Sequence, residues 1–331
     1  MKVVIDSAIP YLNGVLEPYA EVLFRAGSDI SKEDVATADA LIVRTRTRCS
    51  QQLLEGSSIK FIATATIGFD HIDLDYCQRN GIKVVTAAGC NAAAVLQWVA
   101  AVLCEVAAIE CWHPSQRTLG IVGVGNVGSL VEQYARAWGF RVLRCDPPRQ
   151  LREKGDFISL EELAEQSDII TFHTPLDATT LHLLNDKIVE LIPPHATIIN
   201  ASRGEVASTE SLLKSHHRLA LDVWEREPFI DNTLLEKAFI STPHIAGYSA
   251  QGKANASAMS VRALARYFSL PLTKWYPHQV TPTPRQEICW EEMCRTIREY
   301  CDLRSESLLL KRQSDQFEAL RNNYNYRKEY F

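Results

Sequence analysis

Between Thr118 and Asp146 the chain reads TLGIVGVGNVGSLVEQYARAWGFRVLRCD, and few folds accept such a run. Leu119 to Val122 is a short apolar stretch that suits a buried parallel strand. Gly123, Gly125 and Gly128 follow as G-x-G-x-x-G, and apolar residues then recur at Val127, Leu130, Val131, Tyr134 and Ala135 with the period of a helix. A second strand, Arg141 to Cys145, ends at Asp146. Gly123 allows the tight turn, Gly125 removes the Cβ that would block a pyrophosphate, and Gly128 lets helix and sheet approach. The helix start at Asn126 and Val127 offers unpaired N–H groups and a partial positive charge to phosphates. Asp146 suits the ribose hydroxyls and repels a 2′-phosphate, so the stretch predicts NAD rather than NADP.

At 331 residues the chain has room for two or three domains, and 46% apolar residues supply their cores. A net charge of −5 argues against nucleic-acid binding by general charge. No apolar run reaches membrane-spanning length, and MKVVIDSAIPY lacks the apolar core of a signal peptide, so a soluble cytoplasmic protein with no membrane or nucleic-acid partner is expected. The nine cysteines are odd in number and include no C-x-x-C, which predicts reduced thiols and no metal site.

Before Gly123, strands are expected at Lys2 to Ile5, Ala40 to Val43, Phe61 to Ala65 and Lys83 to Thr86, with helices at Leu16 to Arg25 and Leu74 to Asn80. Asn91 to Ile109 reads as a buried helix. Further strands are expected at Asp168 to Phe172, Ala196 to Asn200, Leu219 to Val223 and Phe239 to Ser241. Gly252 to Leu270 reads as a helix returning to the first domain. Pro271, Pro277, Pro282 and Pro284 mark a linker, and Arg285 to Leu303 has near-helical spacing. The alternation predicts an α/β fold. It comprises a smaller flavodoxin-like substrate domain over residues 1–90, completed near 249–270. A Rossmann-type doubly wound parallel sheet follows over 91–248, then a short C-terminal segment, 271–331.

Three strand ends in the second domain carry polar clusters, Asn200 to Gly204, Asp222 to Pro228 and Thr242 to Tyr248. Ligands of open α/β sheets bind beyond such ends. A guanidinium, carboxylates and an imidazole there suit hydride removal from a carbinol beside a carboxylate, with His as base near neutral pH. Spacing alone leaves each residue open, since a lone His or Arg is more often structural. In the first domain Arg44, Arg46 and Arg48 would share a face if their strand continued. They then offer an anion site, or simply a solvated strand end.

Together TATIGFDHID (64–73), AAGCNAAAV (87–95), GIVGVGNVG (120–128), CDPPR (145–149), ITFHTPL (170–176), NASRGEV (200–206), LDVWEREP (221–228) and HIAGY (244–248) resemble the D-isomer-specific 2-hydroxyacid dehydrogenases. The resemblance implies a substrate domain, an NAD domain and an active site between them. It implies a catalytic arginine at Arg203, an acid at Glu227 paired with a general acid/base at His244, and NAD contacts at Asp146, Thr174, Asp222 and Gly247. It implies substrate contacts at Thr45, Thr66 and Tyr248, a small phosphorylated 2-hydroxy acid as substrate, whose phosphate the run from Arg44 to Arg48 suits, and a homodimer built on the C-terminal segment. Thr45, Gln97 and Ser208 depart from the family pattern without removing a catalytic group, and the C-terminal segment reads as shortened. A sister dehydrogenase of phosphoglycerate or hydroxypyruvate, or an NAD-sensing interaction protein, are the alternatives.

Overall fold

Val3 to Ile5 and Ala40 to Val43 are apolar at every position and fully buried, as in strands covered on both faces. In the computed structural model, which describes residues 1–283 and 286–331, they lie in a five-stranded parallel sheet. Its strands are β1 Lys2–Asp6, β2 Glu21–Arg25, β3 Ala40–Val43, β4 Phe61–Thr64 and β5 Lys83–Thr86, in the order β2-β1-β3-β4-β5. This is the flavodoxin-like order. Val4, Leu41, Val43 and Ile62 pack on one face, and Val3, Ile5, Ile42 and Phe61 on the other, where Val261 and Leu264 of helix Ala250–Tyr267 join them. These elements make one compact unit, Met1–Asn91 with Ala250–Pro282.

The second unit is Ala92–Ser249 with Thr283–Phe331. Its strands are β6 Thr118–Val122, β7 Arg141–Cys145, β8 Ile169–Phe172, β9 Thr197–Asn200, β10 Arg218–Leu221 and β11 Ile240–Ser241. They form a parallel six-stranded sheet in the order β11-β10-β9-β8-β6-β7. The order reverses at β6, so the crevice of this doubly wound sheet opens at the glycine turn that follows β6. Leu119, Ile121, Ile169 and Ile199 face helices Ala92–Glu110 and Asn126–Trp138, while Ile170, Phe172, Ile198 and Leu221 face the opposite side.

Residues 16–25 depart from the expected helix. They form turns followed by β2, which pairs with β1 from Lys2↔Glu21 to Asp6↔Arg25. Pro18 has no N–H to give a helix, and Val22 to Phe24 suit a half-covered edge strand. Helix Ala92–Glu110 corrects a second expectation. Its 19 residues are long and apolar enough to cross a membrane, but 83% of its most apolar window is buried inside the protein. The expected helix near the C-terminus is Trp290–Tyr300; Pro284 and Arg285 lie outside the described residues.

The C-terminal segment packs on the second unit through specific contacts. Gln97 donates to the carbonyls of Tyr300 and Lys328, at 3.4 and 3.1 Å, and accepts from Tyr330 N–H at 2.7 Å. Glu105 accepts from Arg298 and Arg304 at 2.7 and 2.5 Å. Cys104 and Cys294, 190 residues apart, form a disulfide, which corrects the expectation of reduced thiols at this pair. A separation of that size is invisible to any local spacing rule.

Candidate active site

The glycine turn is built as its sequence requires. Gly123 has φ +84°, and a Cβ there would lie 2.8 Å from the His173 carbonyl. At Gly128 a Cβ would lie 2.0 Å from the Gly123 oxygen. Gly125, the N-cap of helix Asn126–Trp138, is different: a Cβ there would have no heavy atom within 4 Å. Its open side is part of a cleft lined by Val124, Gly125, Asn126 and Arg149. Val127, one position on, packs against the core. Beside the turn, the Thr174 hydroxyl oxygen is buried with no hydrogen-bond partner among the described residues. An uncrowded glycine at a helix N-terminus and an orphaned hydroxyl fit a bound dinucleotide.

Asp146 closes the turn from β7. One carboxylate oxygen accepts from Val124 N–H at 2.8 Å, and the other from Arg149 N–H at 2.9 Å. Arg149 in turn donates to the Val124 carbonyl at 2.6 Å and the Ser129 hydroxyl at 2.9 Å. Asp146 therefore holds the loop in shape.

At the ends of β10 and β11 the structure brings Glu227 and His244 together. His244 Nδ1 lies 2.7 Å from Glu227 Oε2, and Glu227 Oε1 accepts from Trp224 N–H at 3.0 Å. Burial pushes the Glu227 carboxyl up, but its bonds to His244 and Trp224 and the nearby Arg321 outweigh burial and hold it below the ordinary range. His244 sits at φ +57°, a costly left-handed conformation for a residue with a side chain. Asp222 holds it there. Its carbonyl accepts from His244 N–H at 2.7 Å, and its carboxylate accepts from the N–H groups of Ile245 and Ala246 at 2.8 and 2.9 Å and from Thr242 at 2.6 Å. Burial raises the Asp222 carboxyl above its usual value against these bonds. Asp222 is thus the scaffold of the histidine loop.

Arg203 follows β9, where Asn200 accepts from Ser202 and donates to the Arg203 carbonyl at 2.9 Å. Gly204 permits the next contact: a Cβ there would lie 2.0 Å from the Trp224 carbonyl carbon. The Arg203 loop thereby packs on the residue whose N–H holds Glu227. Ser208 caps helix Thr209–Lys214 by accepting from Ser211 N–H at 3.3 Å, a task an aspartate would also perform. Gly247 and Tyr248 complete the histidine loop, with Tyr248 N–H bonded to the Ile245 carbonyl at 2.8 Å.

Two arginines of the C-terminal segment, to which the sequence analysis assigned no role, reach this loop. Arg321 donates to the Tyr248 hydroxyl at 3.2 Å, and its guanidinium lies 3.6 Å from Glu227 Oε2. Arg327 is buried and donates to the carbonyls of Ile245 at 2.9 Å, Ala94 at 3.0 Å and Ala246. The only advance signal was the clustering of Arg and Tyr between 321 and 330.

In the first unit, β3 ends at Val43 and a turn follows, so Arg44, Arg46 and Arg48 do not share a strand face. Arg44 is bonded to buried Asp6 at 3.1 Å, while Thr45 is exposed. Thr66 lies 2.6 Å from Thr64 and donates to the Gly68 carbonyl at 3.0 Å. Among the described residues, no group of three or more His, Cys, Asp or Glu could hold a metal ion.

The model of the D-isomer specific 2-hydroxyacid dehydrogenase NAD binding domain matches residues 92–246. D-lactate dehydrogenase from Aquifex aeolicus, solved with NAD and lactic acid, shares the fold at TM-score 0.65 and 24% identity, over 81% of this chain and 96% of that one. D-2-hydroxyisocaproate dehydrogenase does so at TM-score 0.69 and 21% identity, over 81% and 97%. The chain belongs to the D-isomer-specific 2-hydroxyacid dehydrogenases, is an NAD-dependent oxidoreductase acting on a CH–OH group, and takes NAD as its cofactor. Within that family it is similar to erythronate-4-phosphate dehydrogenases. Those of Bacteroides thetaiotaomicron and Bacteroides fragilis are 44% and 46% identical, over 99% of this chain and 97% of each relative. That of Yersinia enterocolitica is 36% identical over 100% of this chain and 93% of the relative.

Proposed function

We propose that the chain oxidises 4-phospho-D-erythronate at C2 to 2-oxo-3-hydroxy-4-phosphobutanoate, a step toward pyridoxal 5′-phosphate. The 2.7 Å contact between His244 and Glu227 at the strand ends of an NAD-binding sheet carries the reading. Relatives of that name, up to 46% identical, support the choice of substrate.

NAD+, when bound, accepts the hydride that leaves C2. His244 Nε2 takes the C2 hydroxyl proton, because Glu227 occupies Nδ1 and fixes which nitrogen is open. Glu227 then stabilises the imidazolium that forms. Arg203 holds the C1 carboxylate and polarises the developing carbonyl oxygen. Gly123, Gly125, Asn126, Val127 and Gly128 receive the pyrophosphate, Asp146 the ribose, and Thr174 and Gly247 the nicotinamide half. Asp222 acts through the loop it scaffolds. Tyr248, with Arg44, Thr45 and Thr66 of the first unit, contacts substrate; Arg44 is the candidate for the phosphate. The first unit serves as the substrate domain, the second as the NAD domain, and the C-terminal segment as the dimer-forming part of a cytoplasmic homodimer.

The test is NADH formation from 4-phospho-D-erythronate with the 2-oxo product trapped, set against phosphoglycerate and other small hydroxy acids. A higher kcat/KM for any of those would assign a sister activity. Light scattering tests the dimer, and cell fractionation tests the compartment.

A further inference from the structure

The family model ends at residue 246, yet the acid–base pair has a neighbour seventy-five positions further on. Helix Phe317–Asn322 is anchored by Phe317, which is 1% exposed in the core that also holds Leu310. It carries Arg321 to the histidine loop. One guanidinium nitrogen donates to Tyr248, and another lies 3.6 Å from Glu227 Oε2, the oxygen that faces His244 Nδ1.

We propose that Arg321 is a positioning residue of the acid–base pair, supplied by the C-terminal segment, which fixes the Tyr248 hydroxyl and the Glu227 carboxylate that holds His244. This rests on the reading of Glu227 and His244 as the proton-transferring pair. A cation 3.6 Å from Glu227 Oε2 restrains the oxygen that faces His244 Nδ1 and favours the ionised carboxylate. The groups that face Glu227 are His244, the Trp224 N–H and Arg321. Arg327 faces backbone carbonyls, so Arg321 is the cation that touches the carboxylate. Two orienting bonds also fix the guanidinium, one to a phenol and one toward a carboxylate, which a flexible surface arginine would lack.

The experiment compares Arg321→Met and Arg321→Lys in the full-length protein. In Arg321→Met the unfolding midpoint should lie below the parent at neutral pH, and the gap should narrow on acidification below 4.5, as Glu227 takes up its proton. kcat with 4-phospho-D-erythronate should fall by about tenfold, the worth of a hydrogen bond to a charged group, while NAD affinity stays within a few-fold. Arg321→Lys should recover most of both. Arg321→Gln provides a second neutral variant if the Met variant does not fold. A gap that does not depend on pH, or one equally large in the Lys variant, overturns the proposal. The melting series needs no substrate. If the parent protein is silent with 4-phospho-D-erythronate but the pH-dependent gap is present, the substrate reading fails and Arg321 keeps its role. If the parent turns over and the gap does not depend on pH, the reverse holds.

Discussion

Nδ1 of His244 faces Oε2 of Glu227 across 2.7 Å, and the other oxygen of Glu227 is held by the N–H of Trp224. The carboxylate is therefore fixed before it fixes the imidazole. Glu227→Gln keeps the size of the side chain and removes its charge, and His244→Ala removes the base. His244→Ala should lower kcat by about 10²- to 10⁴-fold, with Glu227→Gln less severe. NAD affinity, measured by fluorescence quenching, should stay within a few-fold in both.

The same pair makes a pH prediction. The Glu227 carboxyl is held below its ordinary value of 4.5, so folding favours its ionised form. That contribution is complete above 4.5 and is lost as pH falls through the depressed value. Glu227→Gln should therefore melt below the parent at neutral pH, and the gap should close on acidification below 4.5. A gap independent of pH would mean that packing, not charge, explains the loss.

The glycines give a contrast that separates folding from binding. At Gly128 a Cβ would lie 2.0 Å from a backbone oxygen, and the helix would have to move off the strand. Gly128→Ala should cost about 1–3 kcal/mol or more by overpacking, seen as a lower unfolding midpoint. At Gly125 a Cβ meets nothing within 4 Å, so Gly125→Ala should fold and melt like the parent. It should still weaken NAD by about tenfold or more, about 1.4 kcal/mol, because the methyl group stands where the pyrophosphate would approach. Isothermal titration with NAD reads both.

Much of this was legible in the chain because it depends on local pattern. The strand–turn–helix–strand of residues 118–146 and the fully apolar strands specify the sheets, and the strand-end rule points to the clusters 200–204, 222–228 and 242–248, within which the family resemblance singles out Arg203, Glu227 and His244. What stayed hidden is non-local. Nothing near Gln97 says that its amide spans Tyr300, Lys328 and Tyr330, although those bonds explain a glutamine there: it must both donate and accept, and a glutamate only accepts. The role of Asp222 as scaffold of the histidine loop was equally hidden, since its partners, the Thr242 hydroxyl and the N–H groups of Ile245 and Ala246, lie twenty or more residues away. Arg44, Arg46 and Arg48 do not share a face because β3 ends at Val43 and buried Asp6 pairs with the Arg44 guanidinium, a partner 38 residues away.

Asp146 serves two purposes, and a variant should expose both. Its oxygens hold the N–H groups of Val124 and Arg149, and its charge is the feature proposed to receive the ribose. Asp146→Ala should raise KM for NAD by about 10- to 100-fold, the worth of hydrogen bonds to a charged acceptor, and narrow the preference over NADP. kcat at saturating NAD should change little, because the pair at His244 is held by other residues. Steady-state kinetics with both cofactors decide it. An unchanged preference would show that Asp146 matters only to the loop.

Arg327 supports the active loop from beneath, and its removal should couple stability to catalysis. The guanidinium is buried and spans the carbonyls of Ala94, Ile245 and Ala246, tying helix Ala92–Glu110 to the two residues after His244. Its neighbours raise its proton affinity even against burial, so it stays charged at every working pH. Arg327→Met fills much of the same volume but removes the buried charge and its bonds to three carbonyls. The cost should be about 3–5 kcal/mol, the range for breaking a buried charged contact. The loosened segment is the one that holds His244 at φ +57°, a conformation that persists only while its surroundings enforce it. Hydrogen exchange at the Ile245 and Ala246 amides should therefore accelerate even in the folded state, and kcat should fall while the NAD-binding turn keeps its affinity. If the variant is destabilised but exchange at these amides and kcat are both unchanged, Arg327 supports the fold alone and the histidine loop holds itself.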